Sequence, residues 1–321
     1  MDELEYKALI KDCAKLKPSW FQGMQLISIP FLLIAIALYL NTFSGLIWFL
    51  GQILIFAAFT QLFVVVHEAG HNSLLPNTKA NIIIGNIASI FAVVPFFSWK
   101  LIHRQHHLLT GWRDRDPTTK IQVSDEVKNL SQLQIFINNL CWKLWIPLFS
   151  FYYRAGTYWN AKSVLWAIKS PADRVKIFTN IALLIGLYGF LFYFYGGFIV
   201  SNFLLGFYMS LAAMDVIMLS QHSHIPMPVS EGQKVKNFSN KDQVQYTRSL
   251  LMPKFMAKYL FLNFNYHELH HLLPTLPCYY LDKIDIKFSN TENFFNWMKR
   301  AKRIDAVTLV FKTRKETNLN I

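Results

Sequence analysis

Residues 24–71 read MQLISIPFLLIAIALYLNTFSGLIWFLGQILIFAAFTQLFVVVHEAGH. Two apolar runs, 24–41 and 45–65, flank a short turn at Asn41-Thr42-Phe43-Ser44-Gly45, and the second run ends in a histidine pair. A membrane-crossing helix needs roughly 20 apolar residues, so each run is long enough to span. A third run covers 175–195. It is introduced by Ser170-Pro171-Ala172-Asp173, which supplies a cap residue, a proline at the first helical position and an early acid. Gly196-Gly197 is expected to break it, and 198–219 forms a fourth. Composition agrees. Of 321 residues, 53% are hydrophobic and only 16% charged, so length does not count domains here. The expectation is one membrane-embedded domain over 1–321, all-α, with four transmembrane helices.

Charge orients these helices. Lysine and arginine number four in 1–17, thirteen in 79–176 and fifteen in 234–315, which accounts for all 32. Stretches 18–78 and 177–233 have none, so both inter-span turns are uncharged and every base lies on one side. The positive-inside rule makes that side, with both termini, cytosolic. The net charge of +13 is then a topology signal with attraction to anionic membrane lipid, and no nucleic-acid motif accompanies it. Cys13, Cys141 and Cys278 form no CxxC, which fits a reducing compartment without a disulfide framework. Eight charges of both signs in the first twenty residues predict no cleavable signal peptide. Bacterial inner membrane and endoplasmic reticulum both fit.

Residues 80–99 are apolar enough to cross, yet crossing would place the first two histidine clusters on opposite faces. Lys79 and Lys100 flank the segment, Asn81 and Asn86 interrupt it and Pro95 breaks it, so an in-plane or re-entrant course is expected. Region 131–169 is aromatic but broken by Lys143, Pro147, Arg154 and Lys162, as in-plane interfacial helices are. Ser289-x-x-Glu292 resembles a capping box opening a short helix that ends in Lys299, Arg300, Lys302 and Arg303.

All ten histidines fall in four clusters, on the cytosolic side of this scheme: His67/His71, His103/His106/His107, His222/His224 and His267/His270/His271. Spacing i, i+4 puts His67 and His71 on one helix face. The two HxxHH boxes each present three imidazoles within an arc of about 100°. Eight imidazoles exceed the needs of one tetrahedral zinc, so two metal ions in a cytosolic histidine-rich cap are the economical reading. Imidazole alone does not select the metal. His67-Glu68-Ala69-Gly70-His71 is also literally HExxH, the zinc-peptidase helix. A membrane zinc peptidase would leave the other eight histidines unexplained. A metal transporter would place its ligands along a path through the spans.

The order HxxxH, HxxHH, HxxHH, separated by spans, resembles the membrane fatty-acid desaturase superfamily of histidine-box di-iron desaturases, hydroxylases and carotenoid ketolases. Asn265-Tyr266-His267-Glu268-Leu269-His270-His271-Leu272-Leu273-Pro274-Thr275-Leu276-Pro277 is similar to that family's NYHxxHHxxPxxP segment, and Gln221-His222-Ser223-His224-Ile225-Pro226 to its motif after the fourth span. The resemblance covers roughly 24–281. His267 stands where front-end desaturases carry Gln, and neither tail has spare histidines for a haem, so no fused cytochrome b5 domain is expected. The resemblance implies two iron ions, O2 as co-substrate and nine or so histidine ligands: the eight box histidines and one of His222 and His224. His224, just before Ile-Pro, is the preferred ninth. It further implies a lipid or fatty-acyl substrate and O2-dependent insertion of a double bond, with hydroxylation or ketolation as the alternative outcome. Electrons would come from an external carrier, of ferredoxin or cytochrome b5 type, with its reductase. Such an acidic carrier could dock on the basic face.

Two acids are expected to support the imidazoles. Asp116 can accept a second ring N–H. Asp215 lies inside the fourth span, where an acid needs a reason, seven residues before His222. Glu68 and Glu268 lie inside boxes but are read as facing water.

Overall fold

The computed structural model describes residues 3–120, 130–286, 288–319 and 321. Helix α1 (Glu3–Cys13) leads to α2 (Trp20–Leu40), which the Ser19 side chain caps by accepting from Gln22 N. After the expected turn, α3 (Leu46–His71) runs on six residues past the apolar stretch and carries the HEAGH box on its last turns. Left-handed Asn72 ends it, at φ 58°. Both α2 and α3 are long and apolar enough to cross a membrane.

The segment 80–99 divides as its sequence suggests. Helix α4 (Thr78–Ala92) ends at Val93, whose φ is 54°, and α5 (Phe96–Leu109) restarts after Pro95. The two axes differ by 100°. This bend turns the second histidine box away from α4 and back toward the end of α3. The aromatic region contains three short helices, α6 (Gln132–Lys143), α7 (Leu148–Tyr153) and α8 (Ala161–Ala167).

The third and fourth runs meet at a kink directly before Gly196-Gly197. Helix α9 (Pro171–His222) is capped by Ser170 and continues through Gly196-Gly197. Its one non-helical residue is Tyr195, at φ −129° and ψ 15°. A straight helix of 52 residues would be about 78 Å long. The contacts show that it folds back instead. Asn180 bonds Asn86 (3.0 Å) and Tyr188 bonds Ile90 O (2.8 Å), so the first half ascends with α4. Gln52 bonds Asn202 O (2.9 Å) and Thr60 bonds Ser210 (3.1 Å), so the second half ascends with α3. Because Phe59 packs on Phe91 while the α3–α4 turn lies at residues 72–77, α3 and α4 run in opposite directions. The halves of α9 therefore do too. Phe59 is the hub, in ring contact with Phe91, Phe203 and Phe207. Gly206 permits the close approach: a Cβ there would lie 2.6 Å from Ile55.

The C-terminal third is built from short pieces: α10 (Asn240–Gln243), α11 (His267–Leu272), α12 (Cys278–Leu281), α13 (Phe294–Ala301), α14 (Ala306–Phe311) and α15 (Arg314–Thr317). A two-residue parallel pair, β1 (Leu250–Leu251) with β2 (Glu292–Asn293), is the departure from an all-helical fold among the described residues. That pair overturns the capping box at Ser289. Glu292 is in the strand and pairs with Arg300, and Asn293 caps α13 by accepting from Asn296 N at 3.1 Å.

Candidate metal centre

The end of α3, the length of α5, the end of α9 and α11 converge. Two sets of four histidines result, each with its ligand atoms within 4.8 Å of one another: His67, His71, His103 and His270, and His106, His222, His267 and His271. His107 joins the first set by contact. Its Nε2 lies 3.2 Å from His103 Nε2 and 3.0 Å from His270 Nε2. Helical spacing explains the sorting. Each HxxHH box sends its i, i+4 pair to one set and its middle histidine to the other. In α5 that is His103 and His107 against His106; in α11 it is His267 and His271 against His270.

The nitrogens suit metal. In the second set His222 Nε2 is 2.8 Å and His271 Nε2 3.1 Å from His267 Nε2, and His106 Nε2 is 3.3 Å from His271 Nε2. Two nitrogens held by one ion at roughly 2.0–2.1 Å stand about 2.9–3.4 Å apart for angles between square and tetrahedral. In the first set His67 Nε2 and His71 Nε2 are buried with no hydrogen-bond partner. A buried acceptor without a partner is costly, and an ion would satisfy both. Burial also pushes His267, His270 and His271 well below the ordinary imidazole pKa, with neighbouring imidazoles adding to the shift. They are neutral near pH 7, the state a metal requires.

The second ring nitrogens are held too. Glu68 Oε1 lies 3.0 Å from His67 Nδ1, while its Oε2 accepts from Ser73 Oγ (2.8 Å) and Cys278 N (2.9 Å). Asp116 Oδ2 lies 2.7 Å from His106 Nδ1, and its Oδ1 accepts from Thr118 N and Oγ at 2.8 Å. Tyr246 O faces His222 Nδ1 at 3.1 Å. Gln243 is buried between the sets, its Oε1 3.1 Å from His271 Nδ1 and its Nε2 donating to His107 O at 2.7 Å. Trp99 stacks on His103 with centroids 4.4 Å apart. Gly70 makes room for it, since a Cβ there would come within 2.4 Å of the indole.

The family model for fatty acid desaturases matches residues 19–289. The chain belongs to the fatty acid desaturase family. Among its relatives is an sn-1 acyl-lipid omega-3 desaturase (ferredoxin) of Nostoc sp., 26% identical over 211 residues, which are 63% of this chain and 57% of the relative. An enzyme of the same description from Synechocystis sp. is 23% identical over 261 residues, covering 77% and 68%. An oleoyl-12-hydroxylase of Ricinus communis is 35% identical over 80 residues, 25% of this chain and 20% of the relative. The relatives thus include both desaturases and a hydroxylase.

Several expectations about individual residues are revised. His224, the preferred ninth histidine, turns away: two residues beyond His222 it sits at φ 66° and its Nε2 meets Thr317 Oγ at 2.8 Å. His222, which ends α9 in helical register, is the one brought to the set. Asp215 touches no histidine. Its Oδ1 accepts from Ser150 N at 2.6 Å and so fixes the start of α7. Glu68 and Glu268 are buried, not solvated. Glu268 accepts from Ser249 N (3.1 Å), Thr291 Oγ (2.5 Å) and Asn290 N (3.2 Å), tying α11 to the β1–β2 region. Burial raises its pKa and these bonds work against the rise. Gln243, Thr118 and the Tyr246 carbonyl carry no motif that sequence reasoning could have used.

Proposed function

We propose that this chain is an O2-dependent acyl-lipid desaturase whose two histidine sets each hold one iron. The observation that supports this best is the geometry of the sets: nine imidazoles, two adjoining groups, and a small cavity of about 30 Å³ with aromatic walls against them. That cavity is lined by histidines of both sets together with Phe63, Trp99, Phe149, Met218, Tyr158 and Phe264. The metals when bound supply the oxidant that an unactivated C–H bond demands and that no side chain provides. In overall balance, a –CH2–CH2– unit loses two hydrogens, O2 gains four electrons and four protons, and two waters form. Two electrons and two protons come from outside the substrate.

The protein's own residues do the rest. His67, His71, His103, His107 and His270 hold the first ion, and His106, His222, His267 and His271 the second. Glu68 and Asp116 fix the rings of His67 and His106 so that each Nε2 points inward, as outer carboxylates do for ligand histidines. Phe63, Phe149 and Phe264 wall the small space against the centre and keep bulk water away. Glu68 is not free to act as a peptidase base, because Ser73, Cys278 and His67 occupy both its oxygens.

The membrane arrangement follows the same reading. Helices α2 and α3 and the two halves of α9 cross the bilayer, α4 and α5 form a re-entrant pair, and the histidines and termini face the cytosol. The ferredoxin-type carrier named for the Nostoc and Synechocystis relatives is the proposed electron donor. The hydroxylase match marks the alternative product, an alcohol.

Expression in a host with defined lipids tests the reaction. A new double bond in acyl chains, seen by gas chromatography with mass spectrometry, and about two irons per purified chain are expected. One zinc with little iron and unchanged lipids would overturn the reading. New hydroxyl groups would shift it to the hydroxylase outcome.

A further inference from the structure

We propose that the groove above the second histidine box is the docking site of an acidic, ferredoxin-type electron carrier. The proposal rests on the desaturase reading above and adds where electrons enter. The groove has a volume of about 540 Å³ and runs between α5, the end of α8 and the loop 232–235. Arg115, Lys169 and Lys234 line its sides, and Gln105 and Pro117 form part of its wall.

Those two wall residues decide the matter. Gln105 directly precedes His106, and Pro117 directly follows Asp116, whose carboxylate lies 2.7 Å from His106 Nδ1. His106 Nε2 in turn faces the second set, 3.3 Å from His271 Nε2. Thus one imidazole separates the groove wall from the candidate metal position. Electron transfer weakens steeply with distance, and a carrier seated here has a short route.

Charge selects the partner. Lys169 and Lys234 are exposed, as are Arg104 and Lys236 beside the groove, and none of the four makes an ion pair among the described residues. Nearby acids are already engaged or few. Asp114 accepts from Ser230 and lies 3.9 Å from Arg115, Asp173 pairs with Lys176, and Asp116 is buried on His106. Glu231 is the exposed carboxylate at the rim. Arg115 is held in place by Ser230 Oγ (2.8 Å) and Gln233 O (2.7 Å), which preorganises one cation of the surface. A protein partner rich in carboxylates fits this face, and its approach would be steered by the same field. Each encounter oxidises one reduced carrier by one electron. Two encounters supply the two electrons that the desaturation balance requires, and water supplies the two protons.

The test uses the full chain in detergent and an acidic [2Fe–2S] ferredoxin with its reductase. Direct binding is measured by interferometry at low salt, and turnover is measured separately. In the double variant Lys169→Glu/Lys234→Glu, binding should weaken about tenfold or more, with a matching rise in half-saturating ferredoxin, while iron stays near two per chain. A ferredoxin with acids changed to lysines should regain binding to that variant. The control Lys254→Glu, an exposed residue that does not line the groove, should behave as wild type. Wild-type binding by the double variant overturns the proposal. So does loss of binding to anionic vesicles with unchanged ferredoxin dependence, which would assign the groove to lipid. Absence of turnover in the wild type with intact ferredoxin binding would instead count against the desaturase reading and leave the docking site standing.

Discussion

The two HxxHH boxes share a pattern and differ in everything around it. The second box lies on α5, a helix of 14 residues packed into the apolar bundle beneath Trp99. The third lies on α11, a helix of six residues held by polar bonds from Ser249, Asn290 and Thr291 to Glu268. Their i, i+4 pairs go to opposite sets. As a result the first set has five imidazoles, four of them from α3 and α5, whereas the second has four, three of them from the end of α9 and α11. One candidate metal position is fixed by long-helix packing, the other by a polar network of short segments. The first should therefore be the more robust.

The largest test removes one ligand from each. His267→Ala strips the four-membered set, and iron should fall from about two to about one per chain with turnover lost. His107→Ala trims the five-membered set, and about two irons should remain, bound less tightly. Iron analysis by plasma mass spectrometry reads both. Equal losses would abolish the distinction. Acid should act in the same order. His267 and His271 have pKa values lowered in the fold, so the folded protein takes up their protons only well below the ordinary imidazole value near 6.5. A released or unfolded chain takes them up at that ordinary value. Folding and metal retention both therefore weaken as pH falls below about 6.5; His103, His107 and His270 of the first set are lowered in the same way, so the order rests on ligand number, and the four-membered set should release its iron first in a stepwise acid titration.

The next effect down concerns the carboxylates. Asp116→Asn keeps the shape but weakens the acceptor on His106, and metal affinity at the second position should drop roughly 10- to 100-fold. Glu68→Gln should do the same at the first position. Competition with a chelator measures each. If Asp116→Asn loosened both ions alike, the sets would be coupled more tightly than their separate partners suggest.

These carboxylates also show what a sequence can reveal. The apolar runs, the turn at 41–45, the Ser170 cap and the break at Pro95 were all legible, because each is a local property of a few residues. So was the role of spacing in aligning imidazoles. Asp116 was legible as well, being ten residues from His106 in an Asp-Pro turn. Gln243 was not, since its two partners lie far off in the chain and its own segment has no pattern. Asp215 misled for the same reason. Seven residues before His222 it shares a rough helix face with it, but Ser150 arrives from another element and claims the carboxylate. Spacing says which side chains can point together; it does not say what packs between them.

A smaller effect probes the packing of the first set. Gly70→Ala places a methyl against Trp99, which stacks on His103 and edges His67. Overpacking of this kind costs about 1–3 kcal/mol. Thermal unfolding should shift downward, and the first position should lose affinity while the second keeps its own. Trp99→Phe in the same background should recover part of the loss by yielding space.

The smallest expected effect is the sharpest on ligand identity. His222 and His224 are two residues apart, and the motif alone favoured the second. The backbone decides otherwise. Helical geometry persists through His222, whose Nε2 reaches His267, and then the chain turns at Ser223, so that His224 enters the left-handed region and meets Thr317 instead. His224→Ala removes one buried hydrogen bond, a loss of about 1 kcal/mol, and should leave iron content and turnover near wild type. His222→Ala should cost the second iron. Because both variants delete an imidazole from the same turn, general disturbance of α9 would affect them alike, and only a ligand at 222 separates them.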